Sequence, residues 1–597
     1  MWSIERAKRI HGIGRGDLDF LDIDKSGDLV IKIRDASISL PELIERVRQE
    51  NESEEGYTST FTLRFPQLIS DQVKKLRRAF ASHMQESGYN GDYVPVYPVK
   101  VNQQSDLVAE ILKSDVEYGL EAGSKTEMLL IMYAVLEDKN RLIVCNGTKD
   151  RGYLTMARTA AEQGHRVLLS LESIPEVKLA IESLDPGKLE LALRIKPYVS
   201  SSGHWHHSGG RDSKFGLSVH DLIEAAKILK DSRLAGDVSA IHAHLGSQLT
   251  DLERNMTDYG KFMAEVFFSL RKRGLTNLET IDMGGGIPID YESCFSTDAI
   301  PLFVEGMLKA IRKVCEKEGA ATHPNIMTEA GRAVTAKSSA IIVRVVDVRT
   351  LLPHFDASEP ELALLKRKIE QLSDRDALVN MWKELAHPLI PTGNLDELYS
   401  REQRIALFKK TLRSRIVEED LDVPEDLHEW LFRPDHIAIG NFSVFNSCFD
   451  YVLVDQHFPV IPVSGHNRRP MTTVRLADMT CDSDGEISPF VLREYDGEPL
   501  TTEDTRPLTS NQNHPAIGIP VADIQSLDYF LIPLTGAYQD VLEADHNLFG
   551  DLPDVVLTVD DGEVNLEWTH GAQAMTTILD EVGFEEIRDV HDPYFDL

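Results

Sequence analysis

Cysteine and long apolar runs are both scarce in this chain. Only five cysteines occur among the 597 residues, and no two of them stand at the CxxC spacing. A cysteine-only zinc site and a dense disulfide framework are therefore excluded, and the low count is typical of a reducing compartment. No apolar run approaches the roughly 20 residues that a membrane-spanning helix needs, and the polar first residues differ from a signal peptide. The sequence thus predicts a soluble, cytoplasmic protein.

Basic residues are too few to balance the acidic ones. Lysine and arginine number 63, aspartate and glutamate number 97, and the formal net charge is −34. A chain this acidic repels phosphate backbones and anionic membrane surfaces, so we expect neither nucleic-acid binding nor membrane binding. A small cationic substrate remains compatible with this charge, because a local pocket can bind it.

Short apolar segments alternate with longer amphipathic ones from about residue 90 to residue 330. The predicted strands are 94–99, 117–121, 142–145, 167–170, 190–195, 238–243, 279–283 and 326–329. Repeated strand–helix units predict a parallel sheet. Eight units in about 240 residues fit a closed (β/α)8 barrel better than an open sheet. The predicted fold class is therefore α/β, with residues 66–345 forming the barrel.

The chain outside the barrel changes character along its length. Residues 353–434 repeat apolar positions at helical spacing, which predicts an insert of three or four helices. Residues 435–545 are rich in β-like segments, including 451–454, and predict a β-rich second domain. We expect the N-terminal segment, 1–65, to contribute to this β-domain, and residues 546–597 to form a C-terminal extension with one helix.

Polar side chains stand at the ends of most predicted barrel strands, where the active sites of such barrels lie. These residues are Lys100, Glu121, Arg194, His244, Asp282 and Glu329. A lysine desolvated at a strand end has a lowered pKa and can form an imine, whereas an ordinary lysine extends into solvent. Glu329 can hold a protonated pyridine nitrogen or pair with Arg332. His244 can stack on a ring or remain a hydrogen-bonded interior histidine.

Three consecutive glycines, 284–286, follow the seventh predicted strand. Glycine lets backbone N–H groups approach an anion, and barrels often bind phosphate near strands seven and eight; a tight turn is the ordinary alternative. Arg332 can contact the same phosphate or form a surface salt bridge. An imine-forming lysine, a phosphate cradle and a carboxylate for a ring nitrogen together meet the needs of pyridoxal 5′-phosphate (PLP).

Eight segments carry a family resemblance, and they occur in that family's order across residues 97–538. They are YPVKVNQ (97–103), EAGSKTE (121–127), KFG (214–216), HLGSQ (244–248), DMGGG (282–286), EAGR (329–332), CDSD (481–484) and GAY (536–538). On these segments the chain resembles the fold-type III PLP-dependent decarboxylases of basic amino acids, whose barrel is of the alanine-racemase and ornithine-decarboxylase type. It is most similar to the biosynthetic arginine decarboxylases. Three further features match that branch of the family: the FLDID segment (20–24), the length of the chain and the helical insert.

The resemblance implies a set of cofactor contacts. Lys100 matches the lysine that carries PLP, His244 the residue stacked on its ring, and Glu329 the partner of the ring nitrogen. The remaining matched cofactor contacts are Glu121, Arg194, Ser247, Gly284, Gly285, Gly286, Arg332 and Tyr538.

The resemblance also implies a substrate and an assembly. The expected reaction converts L-arginine to agmatine and CO2 for polyamine biosynthesis. Cys481 matches the cysteine that returns a proton to the α-carbon, and Asp482 and Asp455 match acids that face the distal cation. In this family Cys481 and Asp482 come from the partner subunit, so a homodimer with shared active sites is expected, alone or paired into a tetramer.

The HWHH segment at residues 204–207 departs from the family pattern. A histidine cluster can bind metal, but no further ligand pair accompanies this one, so the metal ligands stay unassigned. Some family members depend on magnesium, and Mg²⁺ therefore stands as a candidate second cofactor.

Three alternatives stay open at this point. The first is decarboxylation of lysine, ornithine or diaminopimelate on the same site. The second is a PLP racemase, which needs two opposed bases and releases no CO2. The third is a PLP-binding regulator without catalytic residues, against which Lys100, Cys481 and Asp482 argue.

Overall fold

A computed structural model describes residues 2–54, 57–199, 212–291, 298–386, 393–419, 421–487 and 518–584. The HWHH segment at 204–207 lies outside these described residues. Among the helices described, none has both the length and the apolar character needed to cross a membrane.

Eight parallel strands close into a barrel, as predicted. In chain order, barrel strands one to eight are Tyr93–Pro98, Gly119–Ala122, Leu142–Cys145, Arg166–Leu171, Glu190–Arg194, Val238–His242, Thr280–Asp282 and Asn325–Glu329. Strand eight pairs with strand one, which closes the ring. Because all eight strands are parallel, their carboxyl ends meet at one mouth of the barrel.

The barrel helices surround these strands. They are Pro66–Ser87, Ser105–Ser114, Lys125–Ala134, Arg151–Glu162, Ile174–Ser183, Val219–Lys230, Leu252–Lys272 and Ala299–Glu318. Four of these helices have an N-cap residue whose side chain accepts a hydrogen bond from the backbone N–H three residues later. Those capping residues are Ser124, Asp150, Ser173 and Ser218. Such caps stabilise a helix start typically by about 1 kcal/mol, and they fix where three of the short strand-to-helix loops end.

A long strand, Ser339–Thr350, leaves the barrel and forms the spine of a second sheet. The other strands of this sheet are Phe61–Arg64, His436–Gly440, Ile461–Pro462, Thr472–Ala477, Glu486–Ile487, Ile519–Val521, Tyr529–Pro533, Asp554–Asp560 and Glu563–His570. The predicted β-rich part of the chain is thus present, and Phe61–Arg64 joins it from the N-terminal segment. Asp554–Asp560 and Glu563–His570, which we expected in a separate C-terminal extension, also belong to this sheet. Residues 339–345, which we expected at the end of the barrel, belong to this sheet because they pair with Phe61–Arg64 and Tyr529–Pro533.

The N-terminal segment also forms a small unit of its own. It contains helices Ile4–His11 and Leu40–Asn51 and the antiparallel strands Leu21–Ile23, Leu29–Ile33 and Ala36–Ser39. Leu29 donates its backbone N–H to the carbonyl oxygen of Val463, at 2.9 Å, so this unit packs beside the second sheet.

A helical insert interrupts one hairpin of the second sheet. Its helices are Pro360–Gln371, Arg375–Ala386, Leu395–Glu419 and Glu425–Phe432. The strands on either side of the insert pair with each other, with Thr350 opposite His436, so the chain returns to the point where it left. The insert has its own apolar core around Phe408 and Leu412, which explains the helical spacing seen in the sequence.

One predicted strand is wrong. Residues 451–454 lie in the short helix Phe449–Val454, not in a strand. Their β-branched and aromatic side chains favour a strand locally, but tertiary contacts override that preference. Asp450, fully buried, accepts hydrogen bonds from Arg332, and its backbone N–H donates to Gln539, which holds this segment as a helix against the barrel.

Candidate active site

The mouth of the barrel opens into a cavity of about 680 Å³. The predicted residues that line it are Lys100, Glu121, Arg194, His244, Ser247, Gly285, Gly286, Glu329, Arg332 and Tyr538. Gly284 lies just behind this lining and donates its N–H to Asp282, at 2.8 Å. Asp450, Leu453, Tyr538 and Leu542 of the second domain contribute to the lining, and the volume suits a small-molecule ligand.

Lys100 and Glu121 form the central ion pair of the cavity. Lys100 lies in the turn Val99–Val101 after barrel strand one, and its Nζ is 2.6 Å from Oε2 of Glu121. The lysine side chain is 48% exposed because it faces the cavity, whereas Glu121 is buried. Burial acts to lower the pKa of Lys100, but the charges of Glu121 and Glu329 outweigh it and raise that pKa. We expected desolvation to lower the pKa of Lys100. That expectation is wrong, because the two neighbouring carboxylates outweigh desolvation.

Glu329 is held by an amide and not by the arginine next to it in sequence. Nδ2 of Asn146 donates to Oε1 of Glu329, at 2.7 Å. Burial and the negative charges of Asp282 and Glu121 raise the pKa of Glu329 well above its usual range. The alternative of an ion pair with Arg332 is not realised, because that guanidinium binds elsewhere.

Arg332 connects the barrel to the second domain through an ion pair. Its guanidinium lies 3.2 Å from Oδ2 of the fully buried Asp450 and donates to the hydroxyl of Tyr291, at 3.0 Å. The same guanidinium stands 4.7 Å from the ring centre of Tyr538, a distance typical of a cation–π contact. Because both Arg332 and Asp450 are buried, this ion pair is not a surface salt bridge.

Tyr538 is held beside Lys100 by the backbone. Its φ of 71° is left-handed, which a tyrosine rarely adopts, and its N–H donates to the carbonyl oxygen of Val101, at 2.8 Å. The side chain of Asn102 donates to Gly536 O and to Oδ2 of Asp540, at 3.2 and 2.6 Å. These contacts fix the GAY segment against the turn that carries Lys100.

The glycine run and His244 form one wall of the cavity. A Cβ at Gly285 would stand 2.6 Å from the carbonyl oxygen of Glu329, and one at Gly286, where φ is 108°, 2.5 Å from that of Gly246. Neither position accepts a side chain, so backbone borders the cavity here and a ligand can approach it closely. Nδ1 of His244 accepts the Gly285 N–H at 3.2 Å, and burial together with the charges of Arg194 and Lys100 lowers the His244 pKa to about 3. Its imidazole is therefore neutral.

Arg194 has partners that the sequence did not reveal. It donates to Glu172, at 2.9 Å, and its guanidinium lies 4.8 Å from the ring centre of Phe215. Glu172 directly follows barrel strand four and Asn146 follows strand three. The strand-end rule that selected the other site residues would also have found these two.

The three predicted substrate contacts lie away from this cavity. Cys481 is exposed and donates its N–H to Asn547, while Asp482 stands 3.7 Å from His546. Asp455 is exposed at the left-handed end of Phe449–Val454. Within one described chain none of the three lines the cavity, and their roles stay predictions.

Two groups of described residues have a geometry that could hold a metal ion. One is His220, Asp221 and Glu224 on the surface, and the other is His242, Asp282 and Glu329 inside the barrel. Nothing beyond their proximity marks the surface group as a site. Of the buried group, Glu329 lines the cavity.

The cavity residues fit PLP. Lys100 offers an amine, the glycine wall offers backbone toward an anion, and Glu329 offers a carboxyl group. Oε1 of Glu121 and Nε of Arg332 are buried without a hydrogen-bond partner among the described residues. Polar atoms left in this state at a cavity wall are those that a polar ligand satisfies.

Comparison with known proteins agrees with this geometry. Residues 70–336 match the family described as pyridoxal-dependent decarboxylase, pyridoxal binding domain. The chain is 30% identical to the biosynthetic arginine decarboxylase of Bacteroides thetaiotaomicron, an alignment that covers 98% of this chain and 92% of the relative. Identity to the corresponding protein of Chromobacterium violaceum is 31%, with 94% and 89% covered.

Solved structures extend the comparison. The biosynthetic arginine decarboxylase of Campylobacter jejuni superposes with a TM-score of 0.73 at 25% identity, covering 97% of this chain and 92% of that one. Diaminopimelate decarboxylase of Helicobacter pylori shares the fold, with a TM-score of 0.56 at 16% identity, covering 89% and 98%. Fold and site together define a pyridoxal-dependent decarboxylase of the barrel type. Within that class, the chain belongs to the biosynthetic arginine decarboxylase family.

We expect Glu121→Gln to lower the pKa of Lys100 by about one unit or more, since an opposite charge at this distance shifts a pKa by about one to three units. The pH at which Lys100 of the free chain becomes reactive towards an amine-modifying reagent should fall accordingly, as measured by peptide mass spectrometry. Glu127→Gln is the matched control, because Glu127 binds the Gly123 N–H instead of Lys100. An unchanged reactivity profile in Glu121→Gln would contradict the assigned pairing.

Proposed function

We propose that this protein decarboxylates L-arginine to agmatine and CO2 with PLP bound at Lys100, at the head of a polyamine route. Its membership in the arginine decarboxylase family supports the reaction, and the cavity supports the cofactor. The observation that carries the proposal is the ion pair of Lys100 with Glu121, 2.6 Å long, in a barrel-mouth cavity that Gly285 and Gly286 also line.

Each residue around the cofactor ring has a role that follows from its position in the cavity. PLP, when bound, supplies an electron sink for the pair of electrons released as the carboxylate leaves. Lys100 Nζ would hold the cofactor, and Glu121 would orient that amine. Glu329 would hold a proton at the ring nitrogen, with Asn146 fixing its Oε1. The neutral imidazole of His244 offers an uncharged face for stacking.

The phosphate end would lie against the glycine wall. Gly285 and Gly286 allow close approach, Gly284 shapes the turn, and Ser247 lines the same side. Arg332, held by Asp450 and Tyr538, keeps a buried positive charge beside this wall, with its unpaired Nε available to an anion. Arg194, which pairs with Glu172, also lines the cavity.

The substrate end requires a second copy of the chain. We propose a homodimer, alone or paired into a tetramer, in which Cys481 of the partner subunit returns a proton to the α-carbon. Asp482 of the partner subunit, with Asp455, would face the guanidinium. The exposure of Cys481 and its distance from the cavity of its own chain support this arrangement, because a proton donor must reach the reacting atom.

Two further points complete the proposal. All four cysteines in the described residues are unpaired, which supports a cytoplasmic location.

A dependence on Mg²⁺ is tested by chelation, with loss of activity and recovery on adding Mg²⁺ as the supporting result. No step of the proposal passes through the metal.

The reaction is tested by incubating the PLP-loaded protein separately with arginine, ornithine, lysine and meso-diaminopimelate and identifying the amines by mass. We expect agmatine from arginine and little product from the others, and no turnover in Lys100→Ala. Lys125→Ala is the matched control, because Lys125 pairs with Asp150 on the surface. A different amine as product would contradict the assignment of arginine as the substrate. If none of the four amino acids yields an amine, a racemase or a regulator is favoured instead.

Shared active sites are tested by mixing two inactive variants, Lys100→Ala and Cys481→Ala. Random exchange of subunits places one intact site in each mixed dimer, so about a quarter of native activity should return. Each variant alone, carried through the same exchange, is the control. Full activity in Cys481→Ala, or no recovery despite mass-verified mixed dimers, would contradict the arrangement.

A further inference from the structure

An exposed turn, residues 478–485, carries two of the three predicted substrate contacts, and a buried carboxylate fixes its base. The backbone N–H of Asp478 donates to the carbonyl oxygen of Gly485, at 2.8 Å, and closes the turn. Oδ1 of Asp478 accepts the N–H and the hydroxyl of Thr480, at 2.9 and 2.6 Å, and Oδ2 accepts the N–H of Val444, at 2.7 Å. The base of the 478–485 turn is therefore anchored to the second domain.

A second segment, residues 545–548, contacts the tip of this turn. Oδ1 of Asn547 accepts the backbone N–H of Cys481, at 2.8 Å. Nε2 of His546, one residue earlier, lies 3.7 Å from Oδ2 of Asp482. One short segment thus contacts both residues of the turn that are predicted to reach the substrate.

The backbone of the 545–548 segment is unusual. Asn547 and Leu548 have φ values of 57° and 59°, so two consecutive residues other than glycine are left-handed. Asparagine adopts this conformation more readily than most residues, whereas leucine rarely does. The backbone N–H of Leu548 donates to the carbonyl oxygen of Asp545, at 2.8 Å, which holds the segment in this shape. Such strain persists where the surrounding structure imposes it, and it concentrates at functional sites. Here it coincides with the contact to the tip of the turn.

We propose that Asn547 is a positioning residue, which fixes the Cys481 turn of one subunit so that the thiol reaches the cavity of the other subunit. The inference rests on the proposed function. A proton donor works only within hydrogen-bond reach of its target, directly or through one water molecule. The hydrogen bond from Asn547 sets the backbone of the donor residue itself, so it sets where the thiol begins. His546 stands beside Asp482 in the same way.

Mixed dimers separate this role from a general effect on folding. In the mixed dimer of Lys100→Ala and Cys481→Ala, the intact site takes its lysine from the Cys481→Ala chain. It takes its cysteine from the Lys100→Ala chain. A residue that positions Cys481 should therefore matter on the Lys100→Ala chain and make no further difference on the Cys481→Ala chain.

The test adds Asn547→Gly to one chain at a time. Glycine accepts the left-handed backbone and removes the hydrogen-bond acceptor. On the Lys100→Ala chain the change should lower the recovered activity about tenfold or more, since misplacing a reacting group by about 1 Å can cost about a hundredfold. On the Cys481→Ala chain the recovered activity should stay the same. The measurement is agmatine formed per mass-verified mixed dimer.

Two further variants serve as controls on the Lys100→Ala chain. Asn547→Asp should restore most of the activity, because a carboxylate accepts the same N–H and aspartate tolerates the left-handed backbone. Asn90→Gly is the matched control, because Oδ1 of Asn90 also accepts a backbone N–H, from His323 at 2.7 Å, but Asn90 precedes barrel strand one at the opposite end of the barrel. It should leave the recovery unchanged.

An equal loss with Asn547→Gly on either chain would overturn the inference, because it would show a general structural role. No loss on either chain would overturn it as well. If Asn547→Gly forms no mixed dimers, Asn547→Ser, whose hydroxyl is shorter, is carried through the same two arms. If Lys100→Ala and Cys481→Ala recover no activity without any change at Asn547, the shared site of the proposed function fails instead.

Discussion

Lys100 and Glu121 are brought together by the register of the first two barrel strands. Pro98 pairs with Glu121 across the parallel ladder, so the turn that follows strand one places the lysine amine over this carboxylate. The rest of the cavity depends on this ion pair. It keeps the Lys100 amine charged, holds that amine at a fixed position, and leaves Oε1 of Glu121 without a hydrogen-bond partner among the described residues. A closed barrel makes such a pairing possible, because it collects the carboxyl ends of eight strands at one mouth.

A second buried ion pair joins the two halves of the molecule. Arg332 follows the last barrel strand and Asp450 lies in a helix of the second domain, and removing one partner of a buried pair typically costs about 3–5 kcal/mol. Because Tyr538 and Leu542 also reach the cavity from the second domain, the site exists only where the two domains meet. The cofactor site is therefore a property of the whole chain and not of the barrel alone.

Much of this architecture could be read from the sequence, and the failures have physical reasons. The eight barrel strands were found because they are short apolar runs at regular spacing. The segment at 451–454 was misread because local propensity favours a strand, whereas the buried Asp450 requires a helix. The Arg332–Asp450 pair joins residues 118 positions apart, which no local pattern reveals. The sign of the Lys100 pKa shift was missed for a related reason, since it depends on a neighbouring strand.

The central claim is that Lys100 is the residue that holds the cofactor. The most direct measurement is reduction of the PLP-loaded protein with borohydride, followed by digestion and mass mapping of the pyridoxyl group. The account predicts the label on Lys100 alone. A label on Lys149 or Lys214, which lie near the same cavity, or a uniform distribution over surface lysines, would contradict it.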